Sequence, residues 1–228
     1  MKNRPRVVSA AFALAGLAGC SGSGDAELTY PPAPPQQLPD SGRDGLVDPG
    51  WVVEIADHTG IPARAVAAYA NASLALAESD PECGIGWNTL AGIGATESKH
   101  GSHDGAHLGD DGVVSPAIIG IALDGSAGVA AVYDTDGGLY DGDAVWDRAV
   151  GPMQFIPESW LYYGQDANGD GVADPQQIDD AALAAGTLLC HRGGDVTSDD
   201  GWSAAVAAYN ASLDYINVVA QRAEEFAD

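Results

Sequence analysis

The sequence predicts a single mainly α-helical domain behind an exported, proline-rich N-terminal segment. Ala- and Leu-rich stretches repeat their apolar residues at helical spacing along most of the chain beyond residue 60. A hydrophobic content of 46% over 228 residues is enough for one sizeable core. Near Asp48 the composition changes from Gly, Ser, Asp and Pro to that helical pattern, which places the start of the domain at residue 49.

Charge limits the partners. Thirty-three acidic residues face nine Lys plus Arg, a net charge of −24, and the cations do not cluster. Phosphate recognition depends on clustered cations, so nucleic acid and anionic lipid headgroups are excluded. The charge suits solubility and counter-ion binding outside the cell.

In chain order, Lys2, Arg4 and Arg6 precede the apolar run from Val7 to Leu17, a secretory signal over residues 1–19 that is too short to span a bilayer. Leu17-Ala18-Gly19-Cys20 resembles the bacterial lipoprotein processing box, which implies cleavage before Cys20 and acylation of the new N-terminal cysteine. Stable anchoring takes more than one acyl chain, and this anchor is the expected contact with the membrane. The alternative is an ordinary signal peptide with a chance cysteine. Residues 20–48 hold Pro31, Pro32, Pro34, Pro35 and Pro39 without apolar periodicity, which predicts a disordered tether. At about 3.1 Å per residue it reaches up to roughly 80 Å from the membrane.

The domain opens with Asp48 as a cap and Pro49 in the first helical position, and Gly60 ends that helix. Pro62 starts a second helix through Leu76, with Val66, Tyr69 and Leu76 facing inward. Asn71-Ala72-Ser73 and Asn210-Ala211-Ser212 match the glycosylation acceptor pattern but fall in expected helices, so both are read as chance. In the next helix Leu90, Ile93 and Glu97 stand at i, i+3 and i+7, so a carboxylate continues an apolar stripe. Gly101 is expected to end this helix, leaving Glu97 in the last turn, where the negative pole of the macrodipole and burial both raise its pKa. A glutamic acid protonated near neutral pH is suited to protonating the leaving oxygen of a glycosidic bond. The bland alternative is one more solvated acid.

From Gly101 to Ala149 the pattern breaks into Gly, Asp and His, with the run Val113–Leu123 as strand or extended chain. His100, His103 and His107 invite a zinc reading, but Gly101 and Gly105 interrupt the helix on which such a His pair normally sits. A polar loop is the better expectation. Gly151-Pro152 marks a turn and Pro157 starts another helix, so Gln154 is held between two fixed points, where an amide can read sugar hydroxyls or serve the turn. Helical signals resume over Gln177–His191, Trp202–Ala211 and Asp214–Phe226, the last with Ser212 as cap.

Taken together, Glu97-Ser98-Lys99-His100-Gly101, Gly151-Pro152-Met153-Gln154-Phe155-Ile156-Pro157 and Ala208-Tyr209-Asn210 resemble, in order, the motifs of the membrane-bound type B lytic transglycosylases. The resemblance implies one lysozyme-like (α+β, mainly helical) domain over residues 49–228. It also implies cleavage of the β-1,4 MurNAc–GlcNAc bond of peptidoglycan, with the sugar's own 6-hydroxyl closing a 1,6-anhydro ring. Glu97 is then the acid and later the base, Gln154, Tyr209 and Asn210 bind substrate, and the protein is a monomer facing the cell wall. The chain departs from that family in its shorter length, a missing spacer before Gln154 and an Asp-rich loop from Asp134 to Asp147.

The stretch Asp166–Asp174 fits the opening of a calcium loop, with oxygen ligands from Asp166, Asn168 and Asp170, Gly171 at position 6 and the Val172 carbonyl at position 7. Position 12 is Gln177 instead of the closing Glu, so Asp174 or Asp179 is the expected substitute, and structural Ca2+ is the cofactor expected. With Cys20 lipidated, Cys83 and Cys190 remain as an even pair in an oxidising compartment, either bridged or as two buried thiols. Rival functions are a hydrolysing muramidase with a second carboxylate among Asp104, Asp110, Asp111 and Asp134, a calcium-dependent wall-binding module without catalysis, and a zinc hydrolase built on the His loop.

Overall fold

In the computed structural model, which describes residues 30–42, 46–126 and 128–227, the domain enters helix α1 (Pro49–Thr59). Asp48 accepts from the amides of Gly50 and Trp51, Pro49 begins the helix, and Gly60 ends it in the left-handed region at φ 73°. Helix α2 (Ala63–Ser79) follows and buries Val66, Tyr69 and Leu76 as expected. Helix α3 (Trp87–Ser98) is covered from its start, since Trp87 to Gly94 are all buried.

Helix α3 ends at Ser98, not at Gly101. Lys99, His100 and Gly101 take φ of 52°, 59° and 81°, and the amides of Lys99 and His100 close back on Ala95 and Gly94. Two non-glycine residues in the left-handed region cost energy, which neighbouring contacts must offset. His100 is buried between the rings of Tyr69 and Phe226, and Ser98 Oγ accepts from the Gly101 amide at 2.7 Å.

The run Val113–Leu123 resolves into two short strands. Strands β1 (His107–Leu108) and β2 (Val114–Ser115) pair antiparallel, as do β3 (Ile119–Ala122) and β4 (Arg148–Val150), with Ile119 opposite Val150 and Ala122 opposite Arg148. The Asp-rich loop between β3 and β4 forms a second hairpin through the bridges Asp124–Ala131 and Tyr133–Trp146. Helix α4 (Pro157–Tyr163) leads to α5 (Ile178–Gly193), α6 (Asp199–Tyr209) and α7 (Leu213–Glu225). Helix α6 starts three residues before the expected Trp202 because Ser198 caps it, accepting from the Gly201 amide. Ser212 stands at the cap position of α7 but makes no side-chain cap bond. The result is mainly α with two small sheets, α3 lying against α2 and α7, and α5 against α2 and α6.

Two glycines set the spacing around α3. A methyl at Gly92 would stand 3.0 Å from the Val219 carbonyl of α7, and one at Gly94 would overlap Tyr69 Oη of α2. Only glycine lets both neighbours come this close.

The proline-rich stretch is where the structure differs most from expectation. Residues 33–39 lie along the domain as a strap, with Pro34 and Pro39 buried. Buried Asn88 accepts from the Gln37 amide and donates to the carbonyls of Pro35 and Ala223, so it joins the strap to α3 and α7. Gln36 Oε1 takes the Gly86 amide and the Thr89 hydroxyl. Prolines lacking amide donors suit a segment whose few polar groups are supplied with partners from the domain. The free reach of residues 20–48 is therefore shorter than composition suggests, while residues 1–19 and Cys20 lie outside the described residues. No helix among the described residues is long and apolar enough to cross a membrane.

Cys83 and Cys190 form a disulfide across a separation of 107 residues, tying the entry to α3 to the last turn of α5. A loop of this length is worth roughly 4 to 5 kcal/mol in the chain-entropy model. In natively exported protein these two cysteines should alkylate only after reduction, and reduction should lower the urea midpoint markedly. Intact mass before and after reduction checks the first outcome, and free thiols would count against the bridge.

Candidate active site

Glu97 sits in the last turn of α3, half-buried, with its carboxyl facing α7. Tyr215 of α7 donates from Oη to Glu97 Oε1 at 2.5 Å. Burial pushes the Glu97 carboxyl up to about 7, against the opposing pull of the Tyr215 hydrogen bond. Desolvation outweighs the bond because the low-polarity surroundings penalise the charged form as a whole, while one donor stabilises it at one oxygen. The phenols of Tyr209 and Tyr215 are both held well above their usual range, first by burial and then by the Glu97 charge. The expected rise in the Glu97 pKa is thus found, with burial as its cause.

Ser98, next in sequence, ties this carboxyl to the second motif. Its Oγ donates to the Pro152 carbonyl at 2.6 Å. From the other side Tyr209 Oη donates to the Met153 carbonyl at 2.6 Å. The turn Gly151–Gln154 is therefore held between α3 and α6 by two hydroxyls, and the strand bridge between Val150 and Phe155 closes it. Phe155 packs edge-on to Tyr209 at 5.9 Å. Three segments spread over more than a hundred residues meet at one place.

Within that arrangement the expected substrate residues differ. Gln154 has φ 50° and its Nε2 donates to Gly151 at 3.0 Å, while its Oε1 faces Gly120 of β3. Asn210 is buried, and its Oδ1 accepts from the Ser212 amide at 3.0 Å, so one of its functions is to turn the chain into α7. Tyr215 was not singled out by sequence pattern. It stands five residues past Asn210 on the inward face of an amphipathic helix, where a buried tyrosine reads as ordinary core.

Two of the four candidate second carboxylates are taken up by backbone amides. Asp111 Oδ1 accepts from the Val113 amide, and Asp134 Oδ1 accepts from the amides of Asp136, Gly137 and Gly138. Asp104 lies in the short turn His103–Gly105. His100 Nδ1 pairs with Tyr69 Oη at 3.1 Å, and burial holds its pKa down at about 4, so it is neutral.

In the loop Asp166–Asp174, Asp166 accepts from the amides of Gly169, Asp170 and Gly171, Asn168 from Asp170, and Asp170 from Val172. These oxygens are of the kind that binds Ca2+, and the positive φ of Gly169 (77°) and Gly171 (94°) bends the chain around them. At position 12 Gln177 caps α5, and of the two expected substitutes Asp179 pairs with Arg64, which leaves Asp174, whose Oδ1 takes the Gln176 amide. Asp180, buried beneath the loop, accepts from Ala167, Asn168 and Asp174 and anchors it from below. The donor chemistry fits calcium, with an incomplete ligand set. Among the described residues, the acids whose oxygens gather within 4.8 Å are Asp134, Asp136 and Asp147, on the other Asp-rich loop.

Residues 140–224 match the family model of the transglycosylase SLT domain. The matched stretch contains Gln154, Tyr209, Asn210 and Tyr215, whereas Glu97 precedes it. The fold is similar to that of the lytic transglycosylase Slt35 of Escherichia coli in complex with bulgecin A, at 14% identity and a TM-score of 0.45, over 77% of each chain. It is also similar to SltB3 from Pseudomonas aeruginosa in complex with NAG-anhNAM-pentapeptide, at 16% identity and a TM-score of 0.43, over 81% of this chain and 69% of that one. No curated protein matches the chain.

The raised pKa of Glu97 makes a stability prediction. A glutamate that titrates near 4.5 unfolded and about 7 folded adds nothing below pH 4.5 and costs stability as pH rises through this window. Above pH 7 the cost reaches roughly 3 kcal/mol. Glu97→Gln should therefore be more stable than the parent at pH 8, and the gain should vanish near pH 4. Urea melts at both values check it, and equal stabilities at pH 8 would mean that the carboxyl is not desolvated.

Proposed function

We propose that this protein is a lytic transglycosylase of the SLT-domain type that cleaves the β-1,4 MurNAc–GlcNAc bond of peptidoglycan and leaves a 1,6-anhydro-MurNAc end. The observation that carries the reading is the half-buried Glu97, held by Tyr215 and titrating at about 7, beside the turn that presents Gln154. The family match, which names a transglycosylase domain, supports the reaction class.

The geometry divides the steps among residues of this chain. Tyr215 donates to Glu97 Oε1, so that oxygen is the carbonyl-like one and the acid proton sits on Oε2. Oε2 gives this proton to the glycosidic oxygen as the C1–O bond breaks and positive charge develops at C1. Once ionised, Glu97 takes the proton of the sugar's 6-hydroxyl while that oxygen bonds to C1. The proton count closes, and Glu97 is again an acid. Buried phenols around the carboxylate disfavour its resting charge, which keeps it a willing base in the second half. Tyr209 and Ser98 act through the Gly151–Gln154 turn, which they hold in place for the substrate.

Around this core we place a lipid anchor at Cys20, a monomer outside the cytoplasm facing the cell wall, and a structural Ca2+ held by Asp166, Asn168, Asp170, Asp174 and the Val172 carbonyl. The ion's contribution is to fix the loop that leads into α5.

Glu97→Gln keeps the shape and the Tyr215 partner but removes the transferable proton, so cleavage of purified sacculi should fall by about three orders of magnitude in a folded protein. Mass analysis of the products decides the reaction: anhydro ends support the proposal, and reducing ends make the enzyme a hydrolysing muramidase. Near-parental turnover in folded Glu97→Gln would remove Glu97 as the acid.

Millimolar calcium should raise the melting temperature relative to a chelator, because an ion bound only by the native state stabilises it by mass action. The shift should be lost in Asp166→Ala, and no shift in the parent would dispose of the site.

A further inference from the structure

The Asp-rich hairpin between β3 and β4 presents a feature that the catalytic reading does not use. Tyr133 and Trp146 stand opposite each other across an antiparallel bridge, with ring centroids 4.5 Å apart and planes 18° from parallel. Tyr133 is 71% exposed, although a tyrosine of this size would bury more than 150 Å2 in a core. Its inner face rests on Trp146, and its outer face is turned to solvent.

The hairpin that carries this ring is rigidly mounted. Asp134 N donates to Val145 O and Asp147 N to Val132 O, each at 3.1 Å. Asp147, fully buried, takes the amide and the hydroxyl of Thr135. On the inner side Val132 packs with Leu123 and Ile156, and Ile156 is two residues past Gln154. Trp146 itself leads into β4, which runs into the Gly151–Gln154 turn. The platform and the Gly151–Gln154 turn are thus joined through β4 and through the packing of Val132 on Ile156.

We infer that the outer face of Tyr133, backed by Trp146, is a glycan-stacking subsite that engages a sugar ring of the same peptidoglycan strand away from the scissile bond. This rests on the peptidoglycan reading above. A pyranose ring offers a flat face of C–H groups that covers an aromatic ring while its hydroxyls remain in water, which a half-polar surface ring of this kind accommodates. Stacking on Trp146 fixes the tyrosine before ligand arrives, so little rotamer freedom is lost on binding. Charge selects among flat ligands. The hairpin that carries the ring is acidic, with Asp134, Asp136 and Asp143, and its cation Arg148 is already paired with Asp143 at 2.9 Å. Nucleobases on a phosphate backbone are repelled there, whereas an uncharged sugar ring is not.

Sedimentation with purified sacculi, in the Glu97→Gln background so that substrate persists, tests the inference. Tyr133→Leu keeps apolar bulk over Trp146 but loses the flat face, and it should bind roughly three- to tenfold more weakly at unchanged melting temperature. Tyr133→Phe, which keeps the ring, should bind like the parent. Parent-like binding by folded Tyr133→Leu overturns the subsite while leaving the catalytic reading intact. A parent that fails to bind sacculi at all overturns the peptidoglycan reading, and the subsite with it. Should Tyr133→Leu lower the melting temperature, Tyr133→Trp supplies the second measurement. Its added fluorescence should shift on titration with soluble glycan strands, and an unchanged spectrum at saturation overturns the proposal.

Discussion

The close approach of α2 and α7 to α3 is the constraint on which the site depends. Gly92 lets the backbone of α7 come against α3, and only at that distance does Tyr215 reach Glu97. Gly94 lets Tyr69 lie against α3 one turn before the carboxyl, where it also holds His100. A helix rich in glycine is locally weak, each glycine costing about 1 kcal/mol relative to alanine. Burial of Trp87, Leu90 and Ile93 in the main core offsets that cost. The same packing raises the pKa of the carboxyl, so stability and acidity are linked through one helix.

Around this helix the chain closes in several independent ways. The disulfide fixes the entry to α3 to the end of α5. Asn88 joins α3 to both the N-terminal strap and the C-terminal helix, and buried Trp202 reaches Thr89 with its indole N–H at 3.2 Å. Arg64 of α2 pairs with Asp179 at the start of α5. Each of these contacts restrains the α3 environment from a different element. A cavity of about 330 Å3 does lie between the strap and α1, lined by Leu38, Trp51, Glu54, His58, Trp87 and Phe226, but Glu97 does not line it. Glu97 stands at the other end of α3, in its last turn.

Gln154 and Asn210 show why motif residues need a structure before they have roles. Both lie in stretches that matched the expected motifs, yet each spends part of its amide on its own turn. Such residues shape the backbone that borders the site. Ser98 shows the converse, because in the sequence it is a small hydroxyl after a glutamate, and in the fold it is the bond that holds two motifs together.

Local chemistry was legible in the sequence wherever one segment contains its own cause. Asp48, Pro49 and Gly60 bound α1 through caps and a left-handed residue, and the Leu90–Ile93–Glu97 spacing put a carboxyl on an inward stripe. The Cys pair followed from count and compartment. What tertiary structure decided is everything that joins segments distant in the chain. The strap is an example: its composition gives no periodic signal, and its order comes from Asn88, Gln36 and the surface it lies on. The Tyr215 bond to Glu97 spans 118 residues, and the stack of Tyr133 on Trp146 depends on a hairpin that Asp and Gly residues alone do not announce. Side-chain identity sets what a residue is able to do. Which neighbours desolvate it, and which donors reach it, depends on the packing of helices whose contacts no local pattern encodes.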